Sequence, residues 1–98
     1  APGSLVKCRD LHLGGGKSLG IVCRSVAGGL DITQVLRDSV AAEAGLRPGD
    51  CIALIDVSDV THVRQLHRVR DAIADGKRPL AVLVVERGEQ TLRYALLP

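Results

Sequence analysis

Turn-forming residues divide this chain into segments too short for a fold built from long helices or long strands. Clusters of glycine, proline and aspartate mark turns, and five of them interrupt the 98 residues. They are Gly14-Gly15-Gly16, Ala27-Gly28-Gly29, Gly45 with Pro48-Gly49-Asp50, Asp75-Gly76 with Pro79, and Arg87-Gly88-Glu89. A chain of this length forms one domain, since single domains cluster near roughly 100–150 residues. We therefore expect one modest core made of short elements.

Hydrophobic patterning between the turns predicts six short strands and a short helix. Alternation of apolar and polar residues is typical of half-buried strands, and continuous apolar runs are typical of buried ones. The predicted strands cover residues 5–9, 19–23, 30–35, 51–55, 80–86 and 90–97. Residues 39–44 predict one or two helical turns, which Ser39 or Asp38 would cap and Gly45 would end.

Residues 61–74 predict the one long helix. Its apolar positions recur at spacings of three and four and form one stripe, which consists of Val63, Leu66, Val69, Ala72 and Ile73. Arg64, Arg68 and Arg70 are expected to point elsewhere, and Thr61 or Asp59 is the expected cap. This order of elements predicts an α+β fold: a partly open, mostly antiparallel β-barrel or sandwich of about six strands, capped by one short and one long helix.

Composition excludes two classes of partner. The net charge is +2, and the chain has one Tyr and no Phe or Trp. Nucleic-acid binding needs a basic field or aromatic stacking platforms, so we expect no nucleic-acid partner. The longest apolar runs, such as residues 80–85, are far below the roughly 20 residues that span a bilayer, so we expect no direct membrane insertion. Residues 1–4 are interpreted as a disordered lead or an expression remnant, which leaves residues 5–98 as the single domain.

The reactive residues form no catalytic or metal-binding pattern. The three cysteines, at positions 8, 23 and 51, include no CxxC pair, which disfavours a disulfide framework or a thiolate zinc site. His62 and His67 would lie about 140° apart around a helix, too far for one shared ion. Gly16-Lys17-Ser18 ends like a phosphate-binding loop, but Leu11 stands where that motif needs its first glycine. We expect no catalytic residues, no metal and no cofactor.

Two stretches resemble PDZ domains. Ser18-Leu19-Gly20-Ile21 resembles the carboxylate-binding loop that opens the second strand of that family. Residues 39–56 resemble the family's first helix and the Gly-Leu, Gly-Asp, Ile turn that follows it, with Val40 and Val57 where Pro and Gly are common. The resemblance extends from about residue 5 to residue 97. The run Ala44 to Asp50 and the final hairpin are most similar to the PDZ domains of HtrA/Deg-type serine proteases.

The resemblance implies a peptide-binding module without catalytic activity of its own. The C-terminal tail or an unfolded segment of another protein would add as a strand between the second strand and the long helix. The N–H groups of Leu19, Gly20 and Ile21 would bind the ligand's terminal carboxylate, and Lys17 would add positive charge. Gly20 would allow close backbone approach because it has no Cβ.

The implied pocket for the ligand's last side chain is aliphatic. Strand alternation places Ile21 and Cys23 in the groove, facing Leu66 and Val69 of the helix, so Val, Leu, Ile or Ala is the expected last residue. His62 stands where PDZ domains that prefer Ser or Thr two residues before the ligand terminus carry a histidine. The predicted peptide-binding residues are Lys17, Ser18, Leu19, Gly20, Ile21, Val22, Cys23, His62, Leu66 and Val69.

The nature of the parent protein stays open at this point. An HtrA/Deg-type parent would use the domain to recognise substrates or regulators beside a separate protease domain, in the periplasm or tethered outside the cytoplasm. His62 and the three cysteines instead favour a cytoplasmic scaffold that binds Ser/Thr-containing C-termini. Self-association through the groove edge is a further alternative.

Overall fold

The computed structural model describes residues 8–13 and 19–98, which form a mixed seven-stranded sheet and two helices. The elements are β1 (Cys8–His12), β2 (Ile21–Val26), β3 (Gly29–Val35), α1 (Val40–Glu43), β4 (Cys51–Ile55), β5 (Ser58–Asp59), α2 (Val63–Ala74), β6 (Ala81–Arg87) and β7 (Gln90–Leu97). The strand order is β1-β7-β6-β4-β3-β2, and β5 pairs with β4. In the described part of the chain β1 and β2 do not pair, so the sheet stays open, and the predicted fold class is confirmed.

The structure adds two features to the predicted order of elements. β1 pairs parallel to β7 and extends to His12, whereas the predicted first strand covered residues 5–9; residues 5–7 lie outside the described residues, as do residues 1–4. β5 was not predicted, because two residues are too few to show a period. It follows a turn in which Asp56 takes a φ of 58° and Val57 is 93% exposed, so the turn forms without the glycine common at that position.

The core is one cluster of aliphatic side chains to which β1, β3, β4, β6, β7 and both helices contribute. Its fully buried members include Leu11, Leu30, Ile32, Ile52, Ile73, Leu83, Val85 and Leu96. Burying each such side chain contributes about 1.5–3 kcal/mol. α1 contributes Val40 and Ala41, and the single aromatic residue, Tyr94, is 2% exposed.

Both helices begin at capping residues. Ser39 caps α1 as predicted, since its Oγ accepts a hydrogen bond from Ala42 N at 3.1 Å. His62, rather than the predicted Thr61 or Asp59, caps α2: its Nδ1 accepts from Arg64 N at 3.2 Å, while Gln65 Oε1 accepts from His62 N at 2.9 Å. This reciprocal capping box satisfies amides that the first helical turn leaves unpaired. Neither helix in the described ranges has the length and apolar character needed to span a bilayer.

A buried ion pair joins the turn after α1 to the end of β6. Asp50 is 1% exposed and accepts from Arg87 Nε and Nη2, both at 2.8 Å. Asp50 also accepts from Arg47 N at 2.9 Å, and Arg87 Nη2 donates to Gly45 O at 2.8 Å. Burial alone would raise the pKa of Asp50, but these hydrogen bonds and the positive charge of Arg87 lower it below its ordinary value. The Gly-Asp pair of the sequence therefore anchors two distant segments.

Candidate functional site

β2 is an edge strand whose outer side faces α2. Among the described strands it pairs with β3 alone, and α2 packs beside it. An edge strand presents backbone N–H and C=O groups that can pair with an added chain. The site is therefore a groove between the free edge of β2 and the side of α2.

The hydrogen-bonding pattern of the sheet shows which β2 residues present their backbone to the groove. Leu36 N donates to Gly20 O at 2.8 Å, and bonded and non-bonded pairs alternate along an antiparallel ladder. Ile21, which pairs with Val35, therefore directs its N–H and C=O to the free edge. Ile32 N donates to Asp50 O at 2.8 Å, toward β4, so Cys23, its partner on β2, also directs its backbone groups outward.

A bulge in β3 makes this arrangement compatible with the core. Val22 pairs with Gln34 and Cys23 with Ile32, so Thr33 has no partner on β2. The Oγ1 of Thr33 donates to Val22 O at 3.1 Å, which holds the bulge closed. One extra residue in a strand changes which residues face each side, and Ile32 is buried while Thr33 is exposed.

Hydrogen bonds fix the two peptide groups at the entrance to β2. Leu19 O accepts from Ala41 N at 3.0 Å, and Gly20 O accepts from Leu36 N. In a trans peptide group the N–H points opposite to the C=O, so the N–H groups of Gly20 and Ile21 point away from these anchors. No acceptor within residues 8–13 and 19–98 takes a hydrogen bond from Leu19 N or Gly20 N. With respect to the described residues, the amides of Gly20 and Ile21 are therefore available to an anion.

Glycine is required at position 20 for two reasons. Its φ is +77°, a conformation that costs an L-residue about 1–2 kcal/mol. A Cβ at this position would also overlap Cβ of Ser39, the cap of α1. The bend that exposes the amides thus depends on a close contact between backbone and cap.

A small cavity of about 90 Å³ lies next to these amides. Its lining residues come from both walls of the groove and are Leu19, Gly20, Ile21, Cys23, Leu36, Val63, Leu66, His67 and Arg70. Leu19 and Leu66 are 3% and 2% exposed and provide buried apolar surface. Arg70 and His67 add polar groups on the α2 side, and Arg70 Nη2 pairs with Asp71 Oδ1 at 3.1 Å.

The structure brings together five of the ten predicted binding residues, Leu19, Gly20, Ile21, Cys23 and Leu66, around this cavity. Val69 is half-buried and packs against the core, whereas Val22 is 46% exposed and bonds to β3 through its backbone. His62 is the exposed cap of α2 and is absent from the cavity lining. Lys17 and Ser18 lie outside the described residues.

Four lining residues were missed by sequence reasoning: Leu36, Val63, His67 and Arg70. Arg70, expected to point away from the apolar stripe of α2, lies beside that stripe and lines the cavity with a half-buried side chain. Val63, His67 and Arg70 are spaced by four and three, so they share one helix face. That spacing was readable in the sequence, but only Val63 of this face belongs to the predicted apolar stripe, and His67 and Arg70 lie beside it.

The thiol of Cys23, which lines the cavity, has a raised pKa. Burial, followed by the negative charge of Asp31 and the neighbouring Cys51, raises the pKa of Cys23 from 9.0 to about 11. A neutral thiol acts as a small apolar group, so Cys23 extends the aliphatic lining. In the described ranges no three His, Cys, Asp or Glu side chains lie close enough to share a metal ion.

Comparison with known proteins agrees with this architecture. The sequence profile of the PDZ domain matches residues 32–87, which is more than half of the chain, so the chain belongs to the PDZ domain family. A PDZ domain is a binding module rather than a catalytic one. The predicted family is thereby confirmed.

Three individual relatives extend the comparison to HtrA/Deg-type proteins. A probable periplasmic serine endoprotease DegP-like of Hahella chejuensis is 41% identical over 63 residues, which are 64% of this chain and 13% of that protein. The crystal structure of the HtrA3 PDZ domain bound to a phage-derived ligand, FGRWV, superposes with a TM-score of 0.67 at 21% identity and covers 84% of both chains. The HtrA-type protease AlgW with decapeptide gives a TM-score of 0.56 at 26% identity, over 84% of this chain and 29% of that one. The predicted resemblance to HtrA/Deg-type PDZ domains is confirmed.

Proposed function

We propose that this domain binds the C-terminal end of another polypeptide as an added strand at the free edge of β2. The single observation that carries the proposal is the coincidence of that edge with the anchored amides of Gly20 and Ile21 and with a cavity that has aliphatic walls on both sides of the groove. Strand addition takes affinity from main-chain pairing and selectivity from side-chain pockets. The groove supplies both, next to each other.

The ligand would run antiparallel to β2 and pair with the outward backbone groups of Ile21 and Cys23. Its terminal carboxylate would accept hydrogen bonds from the amides at the entrance of the groove, where charge-assisted bonds are stronger than neutral ones. Lys17 and Ser18, which precede these amides in the sequence, belong to the same proposed site. Val22 would take part through the strand it belongs to.

The last side chain of the ligand would enter the cavity. Because Leu19, Ile21 and Leu66 are aliphatic and Cys23 stays a neutral thiol, we expect Val, Leu, Ile or Ala at that position. The peptide in the HtrA3 complex, FGRWV, ends in Val, which supports this class of ligand. Leu66 and Val69 hold the α2 wall in place from the core side.

The parent chain that we propose is an HtrA/Deg-type serine protease, in which this domain recognises exposed C-termini or unfolded segments of substrates or regulators. The similarity to the DegP-like protein and to AlgW supports this parent. The chain spans 13% of the DegP-like relative, so the protease activity belongs to the proposal. A periplasmic or membrane-tethered location outside the cytoplasm follows from the same proposal.

A panel of peptides with free C-termini tests the proposal on the purified chain. Fluorescence anisotropy would compare each binder with its C-terminally amidated form, which keeps the sequence and removes the anion. We expect amidation to weaken binding by about tenfold or more, since a hydrogen bond to a charged group contributes about 1.5–3 kcal/mol. Equal affinity of the free and amidated peptides would refute carboxylate binding.

The second arm of this experiment asks whether the groove is occupied by another copy of the chain. Sedimentation velocity with and without peptide would show a monomer in both conditions if the edge of β2 accepts peptide. A homodimer that excludes every peptide would assign the edge to self-association and would overturn the proposed function.

A further inference from the structure

A second cavity, of about 100 Å³, lies at the other end of the strand order from the groove. It is formed where β1 and β7 meet the turn after α1 and the end of β6. Its lining residues are Arg9, Gly45, Arg47, Arg87, Leu92, Arg93 and Tyr94. Four of these seven residues are arginines, although the net charge of the chain is only +2. The lining of this cavity is therefore more basic than the chain as a whole.

Three of these four arginines form no ion pair in the described part of the chain. Arg87 pairs with the buried carboxylate of Asp50, but no Asp or Glu lies within 4.0 Å of the guanidinium of Arg9, Arg47 or Arg93 in the described ranges. Residues 1–7 and 14–18 contain no Asp or Glu. The charge of Arg47 also acts on Asp50 at longer range, but three of the four guanidinium groups that border the cavity form no ion pair with a carboxylate in the described ranges.

Two of the guanidinium groups are held in place. Arg87 uses Nε and Nη2 for Asp50 and Gly45 O, so its plane is fixed, and Tyr94 is a further hydrogen-bond partner of its side chain. Arg9 Nη1 donates to Ala44 O at 3.2 Å. A Cβ at Gly45 would lie 3.2 Å from that same Nη1, so the absence of a side chain at Gly45 gives Arg9 its room.

We propose that this cavity binds a phosphate group. Guanidinium groups bind oxyanions through two parallel N–H donors, and a dianionic phosphate matches two or more unpaired arginines better than a single carboxylate does. A cavity of about 100 Å³ accommodates one such group and is too small for a nucleotide. The site is independent of the peptide groove, since the two cavities share no lining residue.

Phosphate titration of the purified chain, followed by 1H–15N NMR at constant ionic strength, tests the site. Inorganic phosphate up to about 10 mM should shift the amides of Gly45, Arg87 and Tyr94 in a saturable way, whereas an equal ionic strength of chloride should not. The variants Arg9→Gln and Arg47→Gln should each weaken the binding about five- to tenfold. Arg68→Gln removes the same charge from an exposed position of α2 and should leave the binding unchanged.

A second arm separates free phosphate from phosphate on a lipid. Vesicles of phosphatidylcholine with phosphatidylglycerol would be compared with vesicles of phosphatidylcholine alone in a flotation assay. Binding to the anionic vesicles that Arg9→Gln and Arg47→Gln reduce and Arg68→Gln does not would place the phosphate on a membrane surface. The proposal is overturned if neither inorganic phosphate nor anionic vesicles bind, or if Arg68→Gln weakens binding as much as the two cavity variants. Amide spectra of the variants without phosphate would show that each remains folded.

Discussion

Gly20 and Gly76 have almost the same φ, +77° and +76°, in different surroundings. A Cβ at Gly76 would meet nothing within 4 Å, whereas a Cβ at Gly20 would overlap Ser39. We expect Gly76→Ala to lower the free energy of unfolding by about 1–2 kcal/mol without changing peptide affinity. Gly20→Ala should lower it by about 1–3 kcal/mol more and abolish peptide binding.

Urea unfolding and peptide titration of both variants check this pair. Gly76→Ala is the matched control, since it carries the same backbone strain and lies outside the groove. Retained peptide binding in Gly20→Ala would show that the bend at the start of β2 does not present the carboxylate-binding amides.

The raised pKa of Cys23 should make its thiol react slowly with alkylating reagents. At pH 8 a thiol with a pKa of about 11 in place of 9.0 forms about 100-fold less thiolate, and the thiolate is the reactive species. We expect slow labelling by iodoacetamide in a Cys8→Ser/Cys51→Ser variant, with a rate still rising above pH 10. A saturating peptide should slow it further, because Cys23 lines the cavity. A rate that levels off near pH 9, or one that peptide leaves unchanged, contradicts this placement.

The two histidines of α2 offer separable roles. His62 Nδ1 is used to cap the helix, and His67 lines the cavity. We expect His67→Ala to change affinity for every ligand, by about fivefold for a lost hydrogen bond.

The role predicted for His62, a hydrogen bond to a Ser or Thr two residues before the ligand terminus, stays a prediction: His62→Ala should weaken Ser/Thr-containing peptides more than apolar ones. Equal loss for both classes of peptide would leave His62 only its capping role.

At the scale of the elements, periodicity predicted α2 but not its orientation in the groove. The stripe that includes Leu66 and Ile73 was readable because apolar residues recur at helical spacing, and both side chains are buried. The cavity face of Val63, His67 and Arg70 is mixed in polarity, so hydrophobicity alone could not distinguish it from a solvent-exposed face. The cap could not be predicted reliably either, because Thr61 and Asp59 are also capping-type residues.

The ion pair of Asp50 with Arg87 connects the turn after α1 to the end of β6. It makes the free energy of unfolding depend on pH in the acid range. Because the folded pKa of Asp50 is lowered, its contribution to stability is full well above pH 3.8 and is lost as pH falls through the folded value. We expect Asp50→Asn to lower the free energy of unfolding by about 3–5 kcal/mol at pH 7, since Arg87 would stay partly buried without its partner. The difference from the wild type should shrink below pH 4.

Thermal unfolding measured from about pH 2 to about pH 8 checks this difference, because that range lies on both sides of the ordinary carboxylate pKa. Asp71→Asn is a suitable control, because Asp71 pairs with Arg70 on the surface, where an ion pair contributes about 0–1 kcal/mol. A loss in Asp50→Asn no larger than that of Asp71→Asn would show that the buried pair does not hold the two segments together.

At the scale of the whole molecule, turn residues and strand patterns predicted the α+β class and the order of the elements other than β5, and the resemblance to PDZ domains added five of the residues around the cavity. The parallel pairing of β1 with β7 was not predicted, since partners distant in sequence leave no local pattern. The arginine-lined cavity was missed for the same reason. Arg9, Arg47 and Arg87 are spread over most of the chain and meet only because β1 reaches β7 and Asp50 draws Arg87 to the turn after α1.

The extra residue in β3 has a consequence for how this domain tolerates deletions. Ile32 is buried and bonds through its backbone to Gly49 and Asp50, just before β4, while Gln34 bonds to β2 two positions later. Thr33 is the extra residue that shifts the alternation of hydrogen bonds along β3. Because of this shift, β3 can bond to a neighbour on each side. Shortening β3 by that single residue would force a choice: either the aliphatic side chains keep their place inside, or the neighbouring strand keeps its hydrogen bonds. Length at this point of the chain is therefore as constrained as residue identity is at Gly20.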